Sequence, residues 1–116
     1  MANAQKEFLD KLEEIGKNKT HIKCARINFH PNTYKPKPDD QLKTSRKIVL
    51  KMNFTEEEYT NFLKELDFNY DNGYGGQELG GLVWFNDGTW LERGEYDGSE
   101  WWEYQHYPKI DEECLR

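Results

Sequence analysis

The chain has no apolar run approaching the ~20 residues that span a bilayer. Its opening stretch, Met1 to Gly16, is charged and amphipathic and lacks the apolar core of a secretory leader. A cytoplasmic protein with no membrane partner is therefore expected. Cysteine is scarce, with Cys24 and Cys114 as the 2 cysteines, far apart and without a second ligand-type residue at metal spacing. This excludes a disulfide framework and the usual zinc motifs, and predicts two free thiols. Basic residues are scarce where aromatics are dense: residues 67–116 hold 3 basic and 12 acidic side chains (−9), whereas residues 1–66 hold 13 basic and 10 acidic (+3). A nucleic-acid surface needs a basic stripe interleaved with aromatics, so direct nucleic-acid binding is disfavoured.

What the chain does have is aromatic area. At 116 residues it is one domain long, so residues 1–116 are read as a single domain. With 35% hydrophobic and 33% charged residues it lies near the composition of disordered chains, but four Trp, seven Tyr and six Phe supply large buriable area per side chain. Phe8, Leu9, Leu12 and Ile15 predict an amphipathic first helix stopped at Gly16. His21 to Phe29 reads as a strand whose apolar phase shifts midway, the signature of a bulge or of burial on both faces. In Lys47 to Phe54, Ile48, Leu50, Met52 and Phe54 alternate with polar neighbours, as in a half-buried strand. Thr55 and Glu58 form a capping box, Phe54 can staple onto Tyr59, and Tyr59, Phe62, Leu63 and Leu66 continue a second helix. Phe68 to Gly81, with five glycines, reads as a loop with a short strand near Phe68 to Tyr70.

The last third predicts a three-stranded meander: Leu82 to Phe85, Thr89 to Tyr96 and Ser99 to Tyr107. Asn86-Asp87-Gly88 suits a three-residue hairpin loop, and Asp97-Gly98 a two-residue turn. The fold class is thus α+β, in the order α-β-β-α-β-β-β, with a mainly antiparallel sheet and both helices on one face. A turn at Asp97-Gly98 sets Glu95 opposite Glu100 and Glu92 opposite Glu103. Like charges so placed destabilise a hairpin unless they are solvated or partnered. One face of the meander then carries Val83, Phe85, Leu91, Arg93, Trp102, Tyr104 and His106, the expected core side. The other carries Trp84, Trp90, Glu92, Tyr96, Trp101, Glu103 and Tyr107, together with Leu82, Gly94 and Gln105. Carboxylates among indoles fit a dry core badly, so this second face is expected to reach solvent as a partner-binding patch. Wrapping of the core by aromatics on both faces is the structural alternative.

Other chemistry is weakly signalled. Glu92 and Glu103, with Asp87, offer a carboxylate cluster for acid–base work or a divalent cation, which makes a small metal-dependent hydrolase or nuclease the alternative function. His21, His30 and His106 lack metal spacing, and the NGYGG run at 72–76 lacks the residues that complete a phosphate loop. Lys35, Lys37, Lys43, Arg46, Lys47 and Lys51 are explained by a guarded strand edge as well as by phosphate contact. No catalytic residue, metal ligand or cofactor is assigned, and the chain is read as a non-enzyme. Asp87, Glu92, Glu95, Asp97, Glu100 and Glu103 lie on one hairpin, where their joint field would steer a basic partner or imitate a phosphate backbone.

The segment Gly81 to Ile110, with VWFNDGTWLER followed by YDGSEWWEY, resembles the C-terminal signature of small proteins encoded by tailed phages and prophages. That resemblance implies an accessory protein that binds and inhibits a host nucleic-acid-processing protein or ribonucleoprotein complex, as anti-CRISPR and other anti-defence proteins do, in the host cytoplasm. A virion or assembly component that self-associates through the aromatic face is the third reading.

Overall fold

Asn3 opens the first helix because its side-chain oxygen accepts the Lys6 N–H at 2.9 Å, satisfying one of the donors that a helix start leaves open. A computed structural model describes residues 2–30, 45–70, 77–96, 99–107 and 112–115. Strand β1, Ala2–Asn3, leads into helix α1, Ala4–Glu14, which buries Ala4, Phe8 and Leu12 and ends before Gly16 at φ 73°. Leu9 is exposed rather than part of the stripe, since it lies about 100° round the helix from Phe8. After a short 3-10 turn at Lys19–His21 come β2, Ile22–Phe29, and β3, Arg46–Leu50. The apolar phase shift in β2 is a bulge between Ile22 and Cys24.

Helix α2, Glu56–Glu65, carries the expected capping box: Glu58 N–H donates to the Thr55 hydroxyl and Thr55 N–H to the Glu58 carboxylate, both at 3.1 Å. Phe54 stacks on Tyr59 with ring centroids 5.8 Å apart, closing the staple. Then follow β4, Asn69–Tyr70, β5, Leu79–Phe85, β6, Trp90–Tyr96, and β7, Ser99–Gln105, with a 3-10 turn at Glu112–Leu115. The main sheet has the order β3-β2-β5-β6-β7 and is antiparallel throughout, while β1 and β4 form a separate two-stranded ribbon.

Both helices bury their apolar residues in one cluster with one face of this sheet. Phe8 meets Phe62 and Trp102 edge-on at 5.6 and 6.5 Å, among Ile27, Phe29, Ile48, Leu79, Val83 and Leu91. The chain is therefore α+β with helices on one side, as predicted, with the short β1–β4 ribbon as an addition.

Two boundaries differ from expectation by three or more residues, the others by at most two. The strand predicted to reach Phe54 ends at Leu50, because Asn53 takes a left-handed backbone conformation, φ 62°, that turns the chain toward the α2 cap and leaves Met52 exposed. Strand β5 starts at Leu79 rather than Leu82, with Gly80 and Gly81 paired to Asn28 and Ile27. Gly81 is required there by close approach: at φ 142°, a Cβ would stand 2.3 Å from the Arg26 carbonyl oxygen. The predicted Asp97-Gly98 turn, the NGYGG run and the lysines at 35, 37 and 43 lie outside the described residues. Among the described residues, no helix is long and apolar enough to cross a membrane.

Candidate functional site

The β5–β6 hairpin closes as expected, with Gly88 at φ 86° and Phe85 N–H donating to the Thr89 carbonyl at 2.9 Å. The β6–β7 pairing runs from Trp90 opposite Gln105 to Tyr96 opposite Ser99, so Glu92 faces Glu103 and Glu95 faces Glu100. Alternation sends these two acid pairs to opposite faces of the sheet.

The outward pair lies in the row Arg26–Leu82–Glu92–Glu103, and the neighbouring row is Cys24–Trp84–Trp90–Gln105. On the other side of the acids, Trp101 lies across its cross-strand partner Gly94: a Cβ on Gly94 would meet the indole at 2.7 to 3.0 Å. A glycine beneath a cross-strand aromatic is a recognised device for seating the ring on a sheet. Trp101 remains 40% exposed, Tyr96 77% and Tyr107 76%, while Trp84 and Trp90 are half-buried. Tyr107 also meets Trp90 edge-on at 5.3 Å. Among the described residues, the side chains of Glu92 and Glu103 make no ion pair or hydrogen bond, and Arg26, the cation of their row, is separated from Glu92 by Leu82.

On the helix-side face the pair is split: Glu95 is exposed near the end of β6, whereas Glu100 is buried. Glu100 was placed by sequence in an exposed acidic field, but its side chain is 0% exposed and its carboxylate accepts three hydrogen bonds, from Glu78 N–H at 2.8 Å, Leu79 N–H at 3.0 Å and Arg93 Nη2 at 2.7 Å. Arg93, whose side chain is 1% exposed, also donates to the Leu79 carbonyl at 3.2 Å, to the Tyr70 hydroxyl at 2.9 Å and to Glu7 of α1. Its guanidinium lies 5.0 Å from the Trp102 ring centre. The Tyr70 hydroxyl stands 2.8 Å from both Glu7 oxygens. Burial pushes the Tyr70 pKa up, partly opposed by Arg93. Burial would lower the Arg93 pKa, but Tyr70, Glu7 and Glu100 outweigh it and hold the pKa above the ordinary arginine value. Sequence periodicity put Arg93 on the core face without a partner. The signal available was parity, since Glu95 and Glu100 share that face.

No protein-family model, curated protein or solved structure matches the chain. The site therefore rests on its own geometry. By register, all seven residues singled out by sequence, Trp84, Trp90, Glu92, Tyr96, Trp101, Glu103 and Tyr107, belong to the side of the meander away from the helices, Tyr107 lying just beyond the end of β7. The grouping of Asp87 with Glu92 and Glu103 does not form. Asp87 sits at the hairpin tip, bound by Lys17 Nζ at 2.8 Å and by Thr89, and these bonds, Lys17 first, lower its pKa. Lys17 also lies over Phe85 and Tyr104 at 5.0 and 5.7 Å, tying the end of α1 to the hairpin. Among the described residues, no three His, Cys, Asp or Glu side chains converge to hold a metal ion. Cys24 is half-buried and Cys114 exposed, both free.

Proposed function

We propose that this chain is a non-enzymatic binding protein that grips a cation-bearing protein surface through the outer face of β5, β6 and β7. The observation that carries the reading is the Glu92–Glu103 pair, opposed in register on the sheet face away from the helices and without a cation among the described residues. Such a pair costs the free protein stability, and a partner's lysine or arginine relieves that cost on binding. Trp101 and the half-buried Trp84 and Trp90 supply apolar area beside it, the mixture of aromatic anchor and charge that dominates interface energetics.

From the resemblance to tailed-phage accessory proteins, the partner class we propose is a host nucleic-acid-processing complex, a CRISPR effector among them. The acidic row would meet cations that otherwise hold phosphates. Affinity capture from host lysate tests this with three baits: the natural chain, Trp101→Ala, and Glu92→Gln with Glu103→Gln. A nucleic-acid-processing complex is expected on the natural bait, released by rising salt and held at least tenfold more weakly by both variants. Retention of the same complex by all three baits would remove this face from the function.

A further inference from the structure

We propose that the partner engages as an added strand along the outer edge of β7, with lysine or arginine placed beside Glu103; this rests on the binding reading above. The sheet order leaves β3 and β7 as its edges. The β3 edge is short and begins Arg46-Lys47, and charged residues of this kind deter strand addition. β7, SEWWEYQ, has no lysine, proline or bulge, and its pairing with β6 is unbroken over seven residues. Among the described residues, no backbone group outside β6 hydrogen-bonds to it. Such an edge is a template for β-augmentation, in which main-chain bonds give affinity and alternate side chains give selectivity.

Room for those side chains exists on both sides. Beside the edge, a cleft of about 670 Å³ separates α1 from the β7 tryptophans, with Asp10 and Glu14 on its α1 wall and Trp101 and Trp102 opposite. Within it Lys6 pairs with Asp10 and Lys11 with Glu14, so the cleft supplies room and apolar wall but no net charge, and the choice of occupant rests on the outer face. On the outer face, the nearest charge on β7 is Glu103, opposite Glu92 and without a cation among the described residues. A basic strand is therefore the complementary occupant. A second copy fits less well, because it would bring together two chain halves that each carry a charge of −9.

The test uses the full chain and an eight-residue synthetic peptide alternating Lys and Val, with binding followed by tryptophan fluorescence and amide hydrogen exchange. Saturable binding is expected, with slowed exchange in Ser99–Gln105 and none added in Arg46–Leu50. A Glu/Val peptide is expected to bind at least tenfold more weakly. Two Lys/Val peptides N-methylated at alternate residues, in the two phases, leave the protein untouched. One phase removes the strand bonds and should weaken binding at least tenfold. Absence of binding, protection at β3 instead of β7, equal binding of the Glu/Val peptide, or binding unchanged in both methylated phases would overturn the proposal. In the last case, sensitivity to Trp101→Ala would keep the docking face while discarding strand addition.

Discussion

Replacing Glu100 by Gln changes one side chain by almost no volume and tests what organises the inner face of the meander. The carboxylate accepts from the Glu78 and Leu79 amides through different oxygens, and the oxygen that serves Leu79 also takes Arg93. A glutamine has one acceptor oxygen. If it keeps Leu79 and Arg93, its amide nitrogen points at the Glu78 N–H, leaving a buried donor unsatisfied at a cost of about 1–3 kcal/mol. Loss of the charge then leaves Arg93 with Glu7 as its ionic partner among the described residues, and breaking a buried pair from one side costs about 3–5 kcal/mol in total. Since a domain of this size has roughly 5–15 kcal/mol of stability, Glu100→Gln should remove a large fraction of it. Urea unfolding would show the loss as a midpoint lowered by about 2–3 M for a slope near 1.5 kcal/mol/M.

The control is the cycle with Arg93→Met. The single Arg93→Met change leaves a buried carboxylate with only its two backbone donors, so it should also be costly. The double variant should cost less than the two singles added together, because a buried ion pair replaced as a unit is close to neutral. A Glu100→Gln loss below about 1 kcal/mol, or strict additivity in the cycle, would refute the claim that this pair organises the inner face.

The outer acids give the opposite sign: Glu103→Gln should stabilise the free protein by about 0.2–1 kcal/mol in urea unfolding, and a destabilisation would mean that Glu103 has a favourable role in the free chain. Gly81→Ala adds a Cβ against the Arg26 backbone at φ 142°, so a loss of about 2–4 kcal/mol is expected from strain and overpacking together, and an unchanged unfolding midpoint would contradict it. Asp87 has its folded pKa depressed by Lys17 and Thr89; its contribution is therefore present above the unfolded carboxylate pKa, near 4, and is lost as pH falls further toward the folded value. The stability difference between Asp87→Asn and the natural chain should accordingly be full and constant above about pH 4 and shrink as pH falls below it, and an offset that stays unchanged below that pH would be the contrary result.

The elements most legible in the sequence were those whose signals are local. The Thr55–Glu58 box, the stop at Gly16 and the hairpin at Gly88 involve residues within a few positions of one another, and each forms as read. The meander faces were legible for a related reason: once turn lengths are fixed, register and alternation determine which side chains are neighbours. What escaped depends on distant segments. Whether Gly80 and Gly81 belong to a loop or to a strand is decided by the β2 backbone pressing against them. The early end of β3 depends on a single left-handed residue, Asn53. The Glu7–Arg93–Glu100–Tyr70 cluster joins four elements spread over most of the chain, and no local pattern announces it.

The contrast between the two acid pairs identifies the outer face better than its aromatic content does. Both pairs come from one register and both set glutamate against glutamate. On the inner face, the protein meets the buried carboxylate with Arg93 and two backbone amides, so a chain of this composition can supply countercharge where folding requires it. On the outer face, Arg26 is in the same row but Leu82 lies between, and a cation at position 82 would sit directly against Glu92. Substituting Leu82→Lys supplies that cation from within. It should raise the stability of the free protein by tenths of a kcal/mol to about 1 kcal/mol through a cross-strand pair, while weakening capture of a basic partner by occupying the acid and adding a repelling charge. If stability and capture instead rise together, countercharge on this face is not what the partner provides, and the docking model fails.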